Sequence, residues 1–220
     1  MKKLFFVLTL LVFFTPVAFA LDCDDLLVNP EITVTSSFGN LTYDSSKDIN
    51  EITAMAKKFD LVESDLFASG LSVADINFNI SLSSSASMTG IKEFCVTPSK
   101  VEIFLGFSSP MIYLANSLTK DSCQYNIVLR HEQTHQQINK STLEYYLPIF
   151  KAAATNIIKQ TKPIKISSTT QLGQTTKDLT DTYNQKLSPL VNFIKKEIAG
   201  EQHKLDNPAN YKYESILCKE

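Results

Sequence analysis

His131 and His135 stand four residues apart, with Glu132 directly after the first, inside a stretch whose apolar residues keep helical spacing. On an α-helix both imidazoles project from one face and reach a single metal ion, while the glutamate lies beside them. Ile127, Val128 and Ile138 fall on the same face, so that face must be buried against the rest of the protein. Two histidines on a helix are commonly just core or surface residues. This five-residue pattern, however, arises by chance in a chain of this length only about once in a hundred, and it uses two of the three histidines present. Zinc suits it, because zinc accepts imidazole nitrogen and carboxylate oxygen in a tetrahedral shell and leaves one position for water. His131 and His135 are therefore expected to be zinc ligands, and Glu132 a general base that is not itself a ligand.

A third ligand has to come from elsewhere in the chain. The residues after His135, Gln136 to Lys140, lack the glycine and third histidine of the extended form of the motif. Glu144 is near, but it also completes a capping box with Ser141, and the separation is short for a helix that must fold back. Glu201, His203 and Asp206 cluster beyond the last long helical stretch. His203 is the preferred ligand as the remaining histidine, with Asp206, Glu201 and Glu144 as alternatives. Its competing explanation is a solvated histidine favoured by the dipole at a helix C-terminus.

The N-terminus reads as a signal peptide over 1–20. Lys2 and Lys3 precede an apolar run from Leu4 to Phe14, and Ala18-Phe19-Ala20 supplies the small residues of a cleavage site. The span 21–220 is then expected as a single domain, secreted or periplasmic, with no stable membrane insertion after cleavage. The net charge is −2, and Arg130 is the only arginine, so neither a basic patch nor a guanidinium cluster for phosphate is present. That sets aside a nucleic-acid role. Oligomeric state is not legible.

Four cysteines, Cys23, Cys95, Cys123 and Cys218, follow the leader. Their separations are long, without the close pairs of zinc–thiolate sites, so two disulfides are expected in an oxidising compartment. Of the three possible pairings, Cys23 with Cys95 and Cys123 with Cys218 is preferred. The second would tie the C-terminal tail to the start of the histidine-bearing helix.

The N-terminal half is strand-like. Glu31–Ser36 and Asn40–Tyr43 alternate around Phe38-Gly39-Asn40 and read as a hairpin, Asp75–Leu82 and Val101–Phe107 as strands, and Ser83–Ser87 as a surface loop. A short helix is expected from an Asp48 cap to Phe59, with a further turn near Ser64–Ser69. The C-terminal half reads as three helices, about Cys123–Asn139, Ser141–Gln160 and Thr175–Gly200, with Pro148 and Pro189 as kink or break points. Strands first and helices afterwards define an α+β class.

The stretch from Cys123-Gln124-Tyr125 to His135 resembles a bacterial family of uncharacterised, predicted secreted zinc-dependent proteases, in which a Ser-Cys-x-Tyr segment leads into a His-Glu-x-x-His helix. The resemblance implies a zincin-like plan: a twisted N-terminal sheet, whose edge strand holds substrate, packed on a bundle of about three helices. Val101–Phe107 or Met111–Leu114 would be that edge. In such sites a tyrosine commonly stabilises the oxyanion, and Tyr211 and Tyr213 follow the ligand cluster closely. The expected activity is that of a zinc metallopeptidase acting on a peptide or protein substrate. A non-catalytic envelope protein that binds zinc or a partner is one alternative. Glu132 argues against it, since a purely structural site needs no base. A zinc amidase acting on cell-wall amide bonds is the other.

Overall fold

The computed structural model describes residues 22–26, 28–58 and 67–218, and within them strands precede helices, as an α+β chain requires. The expected leader at 1–20 and the first half of the expected turn at Ser64–Ser69 lie outside the described residues. The strands make two sheets, where the sequence suggested one. The larger contains β1 (Glu31–Thr35), β4 (Ile76–Gly90), β5 (Glu93–Phe107) and β7 (Ile164–Ile166). Its central strand is β5, parallel to β1 and antiparallel to β4 and β7. The smaller runs in the order β2 (Thr42–Asp44), β6 (Met111–Leu114), β3 (Gly70–Val73).

The expected hairpin around Gly39 does not form. β1 pairs with β5 and β2 pairs with β6, so the two segments belong to different sheets. Gly39 turns the chain between them at a φ of 67°, and a Cβ there would meet Pro110 Cδ at 2.5 Å. Ser83–Ser87 is also not a loop, because it continues β4 opposite β5. Small hydroxyl side chains are tolerated there through cross-strand contacts such as Ser85 Oγ with Thr97 Oγ1 at 3.3 Å.

Asp48 caps α1 (Ile49–Lys58) through a reciprocal pair: Glu51 N–H donates to Asp48 Oδ1 at 2.8 Å and Asp48 N–H to Glu51 Oε2 at 2.9 Å. The two helices expected over 123–160 are one, α2 (Cys123–Lys159), capped by the Ser122 side chain, which accepts from Tyr125 N–H. The capping box at Ser141 is absent, since its hydroxyl donates back to Gln137 O at 2.7 Å. Pro148 removes one helical hydrogen bond, but it and Glu144 are exposed, so water can reach the vacated carbonyl. α3 (Leu172–Leu205) likewise runs through Pro189, and a short α4 (Pro208–Ile216) follows.

The main core lies between the large sheet and the two long helices. Val101, Ile103 and Leu105 of β5 meet Leu143, Phe150 and Ala154 of α2 and Tyr183, Leu187 and Ile194 of α3. A smaller cluster of Ile52, Ala56, Leu71 and Ala115 joins α1 to the small sheet. α2 spans both regions, its N-terminal half beside the small sheet. Both preferred disulfides are present, Cys23–Cys95 and Cys123–Cys218, and no free cysteine occurs among the described residues. They fit an oxidising compartment, and among the described residues no helix is long and apolar enough to cross a membrane.

Candidate metal centre

His131, Glu132 and His135 are buried on the N-terminal half of α2. The third group is Asp206. Asp206 Oδ1 lies 3.1 Å from Nε2 of His131 and 3.1 Å from Nε2 of His135, and the two Nε2 atoms are 3.1 Å apart. A tetrahedral cation about 2.0 to 2.1 Å from each donor would hold its donors about 3.3 Å apart, so this triangle has the right size and donor chemistry for zinc. Among the described residues, these three are the histidine, cysteine and acidic side chains grouped so that they could hold a metal ion.

His203, the preferred third ligand from sequence, is not in the triangle; it is exposed on the last turn of α3. Helical phase explains the difference. Leu187, Val191, Ile194 and Ile198 form the inward stripe of α3, which continues to Gln202 and, four residues later, to Asp206; His203 is turned about 100° away. Glu144 is exposed and lies 3.9 Å from Lys140, and Glu201 pairs with Lys204, so neither enters the site.

Outer partners fix both rings. Gln202 donates from Nε2 to His135 O at 3.1 Å and to Asn139 Oδ1 at 2.7 Å, which turns its Oε1 towards the imidazole to accept from His135 Nδ1–H. His131 Nδ1–H donates to Glu214 Oε2 at 3.1 Å. Each imidazole thus spends Nδ1 on an acceptor and presents Nε2 to the site. Tyr211 of α4 stacks on the His131 ring, centroids 5.4 Å apart, and donates its hydroxyl to Asp206 Oδ1 at 2.7 Å. Tyr213, the other candidate, is exposed.

Glu132 points to the small sheet. Ser72 N–H donates to its carboxylate, and a Cβ on Gly70 would lie 2.6 Å from Glu132 Oε1. Gln136 Nε2 donates to Ser72 Oγ at 2.6 Å and to Val73 O at 3.3 Å. The edge strand against the motif is therefore β3, whereas the expected edges are interior: β5 and β6 each have strands on both sides. Gly70 signals this approach, since only a residue without a Cβ fits so close to the carboxylate.

Burial pushes Glu132 up to about 7 against the opposing pull of His135 and His131. Burial disfavours charge on His131, but the hydrogen bond with Asp206 and the charges of Glu132 and Glu214 outweigh it and raise the ring to about 9. His135 is raised in the same way, with burial outweighed by Asp206. Burial of Asp206 is outweighed by its histidine hydrogen bonds, which hold it below the usual carboxylate range. Burial and then Asp206 push the Tyr211 hydroxyl upward, so it stays a neutral donor.

Gln202 and Glu214 were not anticipated from sequence. Gln202 lies on the inward stripe of α3, whereas α4 has no buried residue and offers no periodicity from which Glu214 could be read. No family model, curated protein or solved structure matches the chain, so the resemblance over Cys123–His135 rests on those residues alone.

Proposed function

We propose that this chain is an exported, zincin-like zinc metallopeptidase that hydrolyses amide bonds in a peptide or protein substrate. The observation that carries the reading is the 3.1 Å triangle of His131 Nε2, His135 Nε2 and Asp206 Oδ1 with buried Glu132 beside it. A structural site would have no use for a buried carboxylate adjoining the ligands, whereas a hydrolytic one needs a base of intermediate strength there. His131, His135 and Asp206 would hold the zinc, which when bound would lower the pKa of a water and polarise the scissile carbonyl.

Glu132, near neutrality in its proton affinity, takes a proton from the attacking water and returns it to the leaving amine. Ser72 N–H and the close approach of Gly70 keep that carboxylate in one place. Tyr211 spends its one O–H on Asp206 Oδ1 and so orients that carboxylate towards the metal position. Glu214 and Gln202 hold the imidazoles in the tautomer that leaves Nε2 bare.

The test combines metal analysis of the purified protein with a peptide-library assay. One zinc per chain and chelator-sensitive cleavage are expected, and Glu132→Gln should keep the zinc while losing turnover. Loss of zinc in that variant would make Glu132 a ligand; a zinc-loaded parent that cleaves nothing would leave only a binding role.

A further inference from the structure

The two disulfides differ in where they lie and in what they hold. Cys23 and Cys95 are both buried, whereas Cys123 is exposed and Cys218 half-buried. Cys218 follows α4, which carries Glu214 against His131 and Tyr211 against Asp206, and Cys123 is the first residue of α2. α4 has little else to keep it in place. It buries no residue, and Asn210 Nδ2 is enclosed without a hydrogen-bond partner, which works against docking. Its N-terminal end is anchored through Asn207 at the end of α3, and its C-terminal end by the disulfide.

We infer that closure of Cys123–Cys218 is the step that completes the metal centre, so that metal affinity is under redox control. This rests on the zinc reading above. With the bridge open, α4 detaches; His131, His135 and Asp206 stay on α2 and α3, but His131 loses the acceptor that orients it and Asp206 loses the tyrosine hydroxyl. Closure is thiol–disulfide exchange with an external disulfide. One protein thiolate attacks it, forming a mixed disulfide and releasing one thiol; the second protein thiolate then displaces the other. Both cysteines are oxidised with loss of two protons, and the external disulfide is reduced to two thiols. An external dithiol reverses the step at the exposed bridge before it reaches the buried one.

The test uses the full chain with Cys123→Ser and Cys218→Ser combined, beside the disulfide-closed parent. Zinc affinity from chelator competition should fall about 10- to 100-fold, the range for losing outer partners of metal ligands. Backbone amides of α4 should lose protection from hydrogen exchange while those of α3 keep theirs. Glu214→Gln should weaken zinc binding about 10-fold in the closed parent and add nothing in the open chain. Unchanged zinc affinity, or α4 amides still protected in the open chain, would overturn the inference. Should the double variant fail to fold, mild dithiol treatment of the parent, with Cys23–Cys95 retained, gives the same comparison, and reoxidation should restore affinity. A closed parent that binds no zinc defeats the proposed function instead, while hydrogen exchange on α4, which needs no metal, still decides whether the bridge holds it.

Discussion

The two halves of α2 share one backbone and bury opposite kinds of side chain. From Leu143 onward the inward face is Leu143, Phe150, Ala154 and Ile158, packed on the large sheet and α3. Before it, beyond Ile127 in the first turns, the inward face carries His131, Glu132, His135 and Asn139. Apolar burial stabilises the first by about 25 cal/mol per Å² removed from water. The second gathers desolvated ionisable groups, which do not stabilise the fold on their own. Because the helix is continuous through Ser141 and Pro148, the polar half takes its rigidity from the apolar half, and stability and chemistry are separable by mutation.

The largest effect should come from the apolar half. Phe150→Ala is expected to lower unfolding free energy by about 3 to 5 kcal/mol, measured by denaturant titration of metal-free protein, while zinc stoichiometry stays the same. If zinc is lost as well, the halves are not separable. In the polar half, Glu132→Gln should raise stability. Its carboxyl is pushed from an ordinary 4.5 to about 7 in the folded protein, so ionisation opposes folding. The penalty is absent below about 4.5, grows as pH rises towards 7 and is complete above it, so the metal-free variant should gain up to about 3 kcal/mol at pH 8 and nothing near pH 4. A gain that is equal at both pH values would show that packing, not charge, is responsible.

Asp206→Ala should weaken zinc binding about 100-fold or more, whereas His203→Ala should leave it unchanged by isothermal titration. The reverse result would return the ligand role to His203. The smallest effect is expected at Glu144, which the sequence offered both as a cap and as a ligand. Its exposed pairing with Lys140 at 3.9 Å predicts that Glu144→Ala changes stability by less than about 0.5 kcal/mol. A loss near 1 kcal/mol would instead indicate the helix boundary that capping implies.

What the sequence made legible was local or constrained by spacing. The start of the histidine-bearing helix at Cys123, the Asp48 cap and both preferred cysteine pairings are as read, though that helix runs on past Asn139 to Lys159. Asp206 is legible in the sequence by helical phase, because extending the stripe from Leu187 to Ile198 selects Gln202 and Asp206, whereas residue type alone points to His203. The hairpin at Gly39 failed because strand pairing is decided by partners distant in sequence, here β5 and β6. Ser141 misled because its hydroxyl can cap a helix or bond back within one, and only packing on both sides decides between them. Glu214 left no local trace, since α4 buries no residue and so carries no apolar stripe from which an inward position could be read.

The parallel pairing of β1 with β5 sets the order in which the chain can fold. Glu31–Thr35 must find Lys100–Phe104, a partner inside the β4–β5 hairpin, with all of β4 and the first part of β5 between them in sequence. Local hairpins close in microseconds, whereas contacts across such a distance form late. Until β1 arrives, β5 offers an unpaired edge along Val101 and Ile103, the kind of edge on which chains stick to one another. Cys23–Cys95 lies just ahead of that register and joins the same two segments with Cα atoms 5.5 Å apart. Once it closes, β1 searches from beside its partner, and the interval in which β5 is open to other chains shortens. Refolding with that bridge intact should therefore be faster and yield less aggregate than refolding from the reduced chain.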